Sequence, residues 1–177
     1  MAAADLHNQA LAQYQKAQHA QAGALFLQAA EAYRDENRPA LAAEMQNNYG
    51  VACRAQKDYA AALSAIEAAI SQLRALDDAR RLAHALGNLG SVLLETGALS
   101  PAAEALNESL SLLDPQTEKA ARSEVLRVLG EVRLKQGKYL EGMADFDAGL
   151  RDAEKLSPQQ RWLKQLLDRP LKMLGRK

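Results

Sequence analysis

Three groups of residues have types and spacings that could carry chemistry. In "ALGNLGSVLLETGALSPAAEAL", residues 85–106, Gly87, Gly90 and Gly97 have the outline of a phosphate-binding loop feeding a helix. Such a loop needs its glycines at a strand-to-helix junction, with backbone N–H groups turned to the ligand. Gly87 and Gly90 instead fall inside a helical apolar pattern, and no Gly-Lys-Ser or Gly-Lys-Thr follows, so nucleotide binding is not expected. His7, His19 and His84 are widely spaced and Cys53 is the only cysteine; without HExxH or CxxC, neither a metal site nor another cofactor is expected. Asp145, Asp147, Asp152 and Glu154 could act as an acid/base pair only by facing one cleft with separated pKa values. Scattered among Arg151 and Lys155, they read as a solvated helix face. No catalytic residue is assigned, and an enzyme is not expected.

The third group is a row of amides. Asn8, Asn48 and Asn88 stand forty residues apart, with Val128 next in the series. Each asparagine offers donors and an acceptor, so a row at one height could hydrogen-bond the backbone of an extended peptide whatever its side chains. The same amides could equally bond a neighbouring helix. Around the row lie Asn47, Glu44, His84, Ser91, Glu124, Arg127 and Glu131, with Arg54, Glu95 and Lys135 farther along. Their mixed signs suit a peptide carrying both charges.

The elements that position these residues follow from the same period. Gly50, Gly90 and Gly130 are forty apart, as are Tyr59, Leu99 and Tyr139, and Ile66, Leu106 and Phe146. Stepping back forty gives Ala10, His19, Ala22, Phe26 and Ala29, so a degenerate first unit keeps the register. Four units result, near 3–42, 43–82, 83–122 and 123–162. Leu82, Leu86, Leu89 and Leu93 recur at helical spacing, then Leu99, Ala102, Leu106 and Leu110 do so after a break, which makes each unit a helical hairpin. Ser100, Asp114 and Ser157 each precede a proline and predict N-caps, Gln160 completing a capping box with Ser157. Turns are predicted at Lys57-Asp58, Gly97-Ala98 and Gly137-Lys138. A ninth helix, 158–174, carries Trp162, Leu163, Leu166 and Leu167 on one face and is expected to close the array, with Pro170 interrupting it.

Composition agrees with an all-helical chain. Aromatic residues make up 5% of the 177 residues, and valine and isoleucine are sparse beside alanine and leucine. Lys+Arg and Asp+Glu are both 22, which disfavours a general nucleic-acid binder. The lone thiol suits a reducing compartment and reads as a small core residue. No secretory signal and no bilayer-spanning apolar run are visible, so a cytoplasmic chain is expected, and membrane association is not expected despite the basic C-terminus.

These columns resemble the tetratricopeptide repeat. "GEVRLKQGKYLEGMADFDAGL", residues 130–150, carries the turn and second-helix positions as Gly137, Tyr139, Gly142, Phe146 and Gly149. The forty-residue unit is similar to the longer-helix Pins and kinesin-light-chain type, which "ALGNLGSVLLETG" also resembles. The early first-helix aromatic is replaced by Gln46, Leu86 and Leu126, and the unit-ending proline by Arg34, Arg74, Asp114 and Glu154. The resemblance implies an all-α fold, a right-handed α-solenoid of four hairpins plus a C-terminal capping helix, forming a single domain over 1–177. It implies a non-catalytic module that presents a concave groove to an extended or helical segment of another protein. Asn8, Asn47, Asn48, Arg54, His84, Asn88, Ser91, Arg127 and Glu131 are the expected groove residues. The alternatives are self-assembly through the solenoid ends, which would make a homo-oligomer, and a regulatory subunit or secretion chaperone of an enzyme or effector.

Overall fold

The structure, a computed structural model, describes residues 2–153 and 156–173, and the side chains of all of these but 163 and 167–173. Among the described residues there are nine α-helices and no strand. They are α1 (Ala3–Gln15), α2 (His19–Asp35), α3 (Pro39–Ala55), α4 (Tyr59–Ala75), α5 (Ala79–Glu95), α6 (Leu99–Leu112), α7 (Lys119–Lys135), α8 (Tyr139–Asp152) and α9 (Pro158–Met173). The forty-residue hairpin period is built from a twenty-residue helix period, since α2 to α8 open at 19, 39, 59, 79, 99, 119 and 139. First helices α3, α5 and α7 therefore open four residues ahead of the unit starts read from the sequence columns.

One turn accounts for this regularity. Ala17, Asn37, Lys57, Asp77, Gly97 and Gly137 all have positive φ, between 53° and 81°. At each, the following N–H reaches back across the helix end, as from Asp58 to the Cys53 carbonyl at 3.0 Å, while the left-handed residue itself donates three back, as from Lys57 to Arg54 at 2.8 Å. This double closure satisfies two of the carbonyls that a helix end leaves open. The next helix then starts two residues after the left-handed one. The three turns expected from sequence form, and three more form at Ala17, Asn37 and Asp77, where no glycine announces them.

The chain divides into two compact units, Met1–Val92 and Leu93–Lys177. In the first, α1 packs on α2, α2 on α3 and α3 on α4. Its core mixes many alanines with a few large residues: Ala22, Ala29, Ala30 and Ala42 beside Phe26, Tyr33 and Met45, all nearly or fully covered. Alanine favours the helix and brings axes close, so the few large side chains suffice to fill the space. Gly50 shows how close: a Cβ there would lie 2.5 Å from Ile66 Cγ1 and 3.1 Å from the Ala62 carbonyl. In the second unit α6, α7, α8 and α9 pack in succession. Eighty residues on, the same positions meet again, since a Cβ on Gly130 would lie 3.0 Å from the Gly142 carbonyl and 3.1 Å from Phe146.

Several local expectations need correction. Ser100 lies inside α6, whose cap position is Ala98, because the turn at Gly97 starts the helix earlier than Pro101 suggests. Asp114 caps a separate turn, accepting from the Gln116 and Thr117 amides at 2.7 and 2.9 Å, and α7 starts only at Lys119. The box at Ser157 forms as expected: its hydroxyl accepts from Gln160 N–H at 3.2 Å and its N–H donates to Gln160 Oε1 at 2.8 Å. Helix α9 runs from Pro158 to Met173, without the interruption expected at Pro170. Trp162 and Leu166 are 64% and 53% exposed, so they do not form the buried face expected of a closing helix, while the side chains of Leu163 and Leu167 are outside those described. Leu156, ahead of the helix, packs against Leu150 with Met143 and Phe146 in their place.

The acidic group on α8 is also not solvated. Asp145 and Asp147 are buried, and Asp152 is half-buried. Arg133 holds both Asp145 oxygens at 2.7 Å, Arg122 reaches Asp152 at 3.1 Å, and Arg151 pairs with Asp147. A covered carboxylate needs such a partner, and the charge alternation that suggested a wet face supplies it. Glu154 is outside the described residues.

Candidate functional site

The first unit contains a cleft of about 420 Å³ between the walls of α3 and α5, floored by Leu73 of α4. Residues four apart on a helix share a face, so Glu44 and Asn48 line one wall, and Arg80, His84 and Asn88 line the other. Asn47 and Arg81 complete the lining. Four of the nine residues expected in the groove are thus brought together: Asn47, Asn48, His84 and Asn88.

The cleft has an ionic end and an amide end. At the ionic end Arg81 Nε donates to Glu44 at 2.6 Å and Nη1 to Asp78 at 2.8 Å, tying α5 to α3. Asp78 also caps α5, accepting from the Arg81 amide at 3.0 Å. Partial burial works against the Asp78 carboxylate, but the Arg81 amide and guanidinium outweigh it and hold its pKa below the ordinary value. Burial likewise opposes the Arg81 charge, and the bonds to Glu44 and Asp78 override it, leaving that pKa raised. The Arg81 charge is therefore spent inside the protein.

At the amide end Asn88 Nδ2 donates to Asn47 Oδ1 at 3.1 Å, and Asn47 Nδ2 donates to Asn48 Oδ1 at 3.3 Å. Asn47 is buried at 5% exposure, whereas Asn48 and Asn88 are half-buried and border the cleft. Of the row itself, Asn88 bonds the neighbouring helix α3 through Asn47, and Asn48 and Asn88 both line the cleft.

The other expected residues are placed elsewhere. Asn8 is exposed on α1, Arg54 sits near the end of α3, and Ser91 donates to the Gly87 carbonyl of its own helix at 3.0 Å; none lines the cleft. In the second unit Arg127 is held by Glu124 at 2.6 Å and Glu131 at 4.0 Å, and Glu131 also meets Lys135 at 3.5 Å. Val128, next in the amide series, is buried. Sequence reasoning missed Arg80 and Arg81, although their columns held a signal: the equivalent positions are Ala40 and Leu41, and Ala120 and Ala121, so only one unit is charged there. Cys53 is buried on α3, and burial, partly offset by Tyr49, pushes its thiol up, as befits a core residue. No three His, Cys, Asp or Glu side chains converge among the described residues, and no described helix is long and apolar enough to cross a membrane.

Comparison with known proteins places this geometry. No curated protein matches the sequence. Among solved structures the fold is similar to the crystal structure of BtubC (BKLC) from P. vanneervenii, with a TM-score of 0.72 at 16% identity, covering 88% of this chain. The chain spans 66% of that protein's length, just under two thirds. Residues 41–114, which include α5 and nearly all of α3, match the tetratricopeptide repeat family model. Residues 41–114 thus match the tetratricopeptide repeat in sequence, and most of the chain shares the fold of that solved structure.

Proposed function

We propose that the chain is a non-catalytic interaction module whose α3/α5 cleft receives a peptide segment of a partner protein. Tetratricopeptide repeats are in general protein-interaction modules. The observation that carries the reading further is the cleft itself, where Asn48 and Asn88 turn polar atoms toward space large enough for a short stretch of chain. The mixed charges of Glu44, Arg80 and His84 along its walls suit a segment that itself carries both signs. No chemistry beyond binding is assigned to these residues, and the lone buried thiol suits a cytoplasmic setting.

The test uses peptides selected on the folded chain from a displayed library of random sequences. Asn48→Ala with Asn88→Ala should weaken their binding by about tenfold or more; because it also strips both partners from the buried Asn47 amide, it should lower stability by about 1–3 kcal/mol while the chain stays helical. Unchanged affinity would remove the cleft from the binding account, and collapse of folding would make the amides structural. A second reading, self-assembly, draws on the exposed Tyr139, Leu140, Trp162 and Leu166 of the second unit. A monomer in light scattering across a wide concentration range would end it.

A further inference from the structure

Helix α9 meets the second unit on a flank that earlier second helices leave open. Asp147 of α8 is fully covered, but the residues in its column one, two and three units earlier, Asn107, Glu67 and Leu27, are exposed. Ala144 is half-covered where Glu104, Ser64 and Ala24 are exposed. Helix α8 packs on α7, the partner within its own hairpin, and on α9, so the added cover comes with α9. One side of α9 is thus taken up, and Gln160 and Lys164 are half-covered. The side that carries Trp162 and Leu166, four residues apart and so one above the other, stays 64% and 53% exposed.

Charge gathers on the same segment. Within 158–177, Arg161, Lys164, Arg169, Lys172, Arg176 and Lys177 stand against Asp168 alone, a net charge of +5 in a chain whose formal net charge is zero. That charge decides between occupants. A second copy laid on α9 would set +5 against +5 and be repelled. A partner's groove reads a helix by anchors spread over two turns or more, and Trp162 and Leu166 span one. A lipid surface asks for less: a few shallow apolar side chains, tryptophan above all, with cations among anionic headgroups.

We propose that α9 is an interfacial helix that holds the chain at a membrane surface rich in anionic lipid. Trp162 and Leu166 enter the headgroup region, and Arg161 with the basic residues after it meets the lipid phosphates and carboxylates. The helix lies on the membrane and does not cross it, since no described helix is long and apolar enough to do so. The contact uses residues of the second unit alone and does not depend on the α3/α5 cleft.

Trp162 is the only tryptophan of the chain, so its emission reports this face directly. The intact chain is titrated with vesicles of phosphatidylcholine containing about 30% phosphatidylserine, and with vesicles of phosphatidylcholine alone. With the anionic vesicles the emission should shift to the blue, and bromination of the acyl chains should quench it. Binding by flotation should be at least about tenfold tighter than to neutral vesicles and should weaken as salt rises. Trp162→Ser with Leu166→Ser, both at exposed positions, should keep the parent's circular dichroism and lose about tenfold or more in flotation. Arg161→Gln with Lys177→Gln, which keeps the tryptophan as probe, should lose about tenfold. Failure to float with anionic vesicles, flotation with Trp162 emission unmoved, or a Trp162/Leu166 variant that floats like the parent overturns the proposal. So does emission that moves with soluble polyglutamate, or with the protein's own concentration, and not with vesicles; the first gives the face to an acidic protein and the second to another copy.

Discussion

Adding one methyl group at Gly50 should loosen the α3/α4 hairpin. An alanine Cβ at that position would stand 2.5 Å from Ile66 Cγ1, 3.1 Å from the Ala62 carbonyl oxygen and 3.2 Å from Ile66 Cδ1. Ordinary carbon contacts begin near 3.5 Å, so about 1 Å of separation has to be found. Ile66 cannot supply it by rotating: the side chain is fully buried and β-branched, which confines χ1. The Ala62 carbonyl is fixed in the α4 backbone. The helices must part by that distance, which puts the overpacking cost in the upper part of the usual range, at about 2–3 kcal/mol. Replacing glycine by alanine in a helix interior returns about 1 kcal/mol. The balance for Gly50→Ala is a loss of about 1–2 kcal/mol, read from urea unfolding by circular dichroism, with hydrogen exchange rising first in α3 and α4. A cycle with Ile66→Ala sharpens the test. Alone that change should cost about 2–5 kcal/mol, but the Gly50 methyl would enter the space it leaves, so the double variant should fall short of the sum by about 1 kcal/mol. A Gly50→Ala chain as stable as the parent, or strict additivity in the cycle, would refute the close-approach argument.

Three further outcomes follow from the same geometry. Ala17 has φ 58°, so Ala17→Gly should raise stability by about 0.5–1 kcal/mol, and Gly137→Ala, at φ 77° with open space around it, should lower it by about 1 kcal/mol in the same unfolding assay. Asp78→Asn keeps a capping side chain but removes a carboxylate whose folded pKa is lowered. The stability due to that charge is present above the unfolded carboxylate pKa of about 3.9 and is lost as pH falls through the lower folded value, so a deficit of under about 1 kcal/mol at neutral pH should vanish near about pH 2. Asp145→Ala leaves Arg133 half-covered without its carboxylate and should cost about 2 kcal/mol, much of it recovered when Asp145→Leu is combined with Arg133→Met.

Much of the fold was legible because helix and hairpin are written as recurrences. The forty-residue columns carried the register and the small-residue contacts of Gly50 and Gly130, and Gly97 and Gly137 marked their turns. The remaining turns were hidden at Ala17, Asn37 and Asp77, since a Schellman closure is a backbone arrangement that tolerates other residues at a modest cost. The two polar misreadings have one cause. Charge pattern along α8 shows which residues alternate but not which side α7 covers, so Asp145 and Asp147 read as wet when Arg133 and Arg151 already served them. For the site, the forty-residue spacing found Asn48 and Asn88, but it is blind to departures from the repeat. Arg80, Arg81 and the bridging role of Asn47 are such departures, visible only once α3 and α5 stand opposite each other.

The claim that the α3/α5 cleft is the binding surface is tested most directly by site-placed photocrosslinking. A benzophenone amino acid replaces His84, which lines the cleft, or Glu67, which is exposed on α4 away from it, and the chain is irradiated with its selected peptide. The account predicts an adduct from position 84, located to neighbouring residues of one extended segment, and none from position 67. Adducts from position 67 with none from position 84 would contradict it.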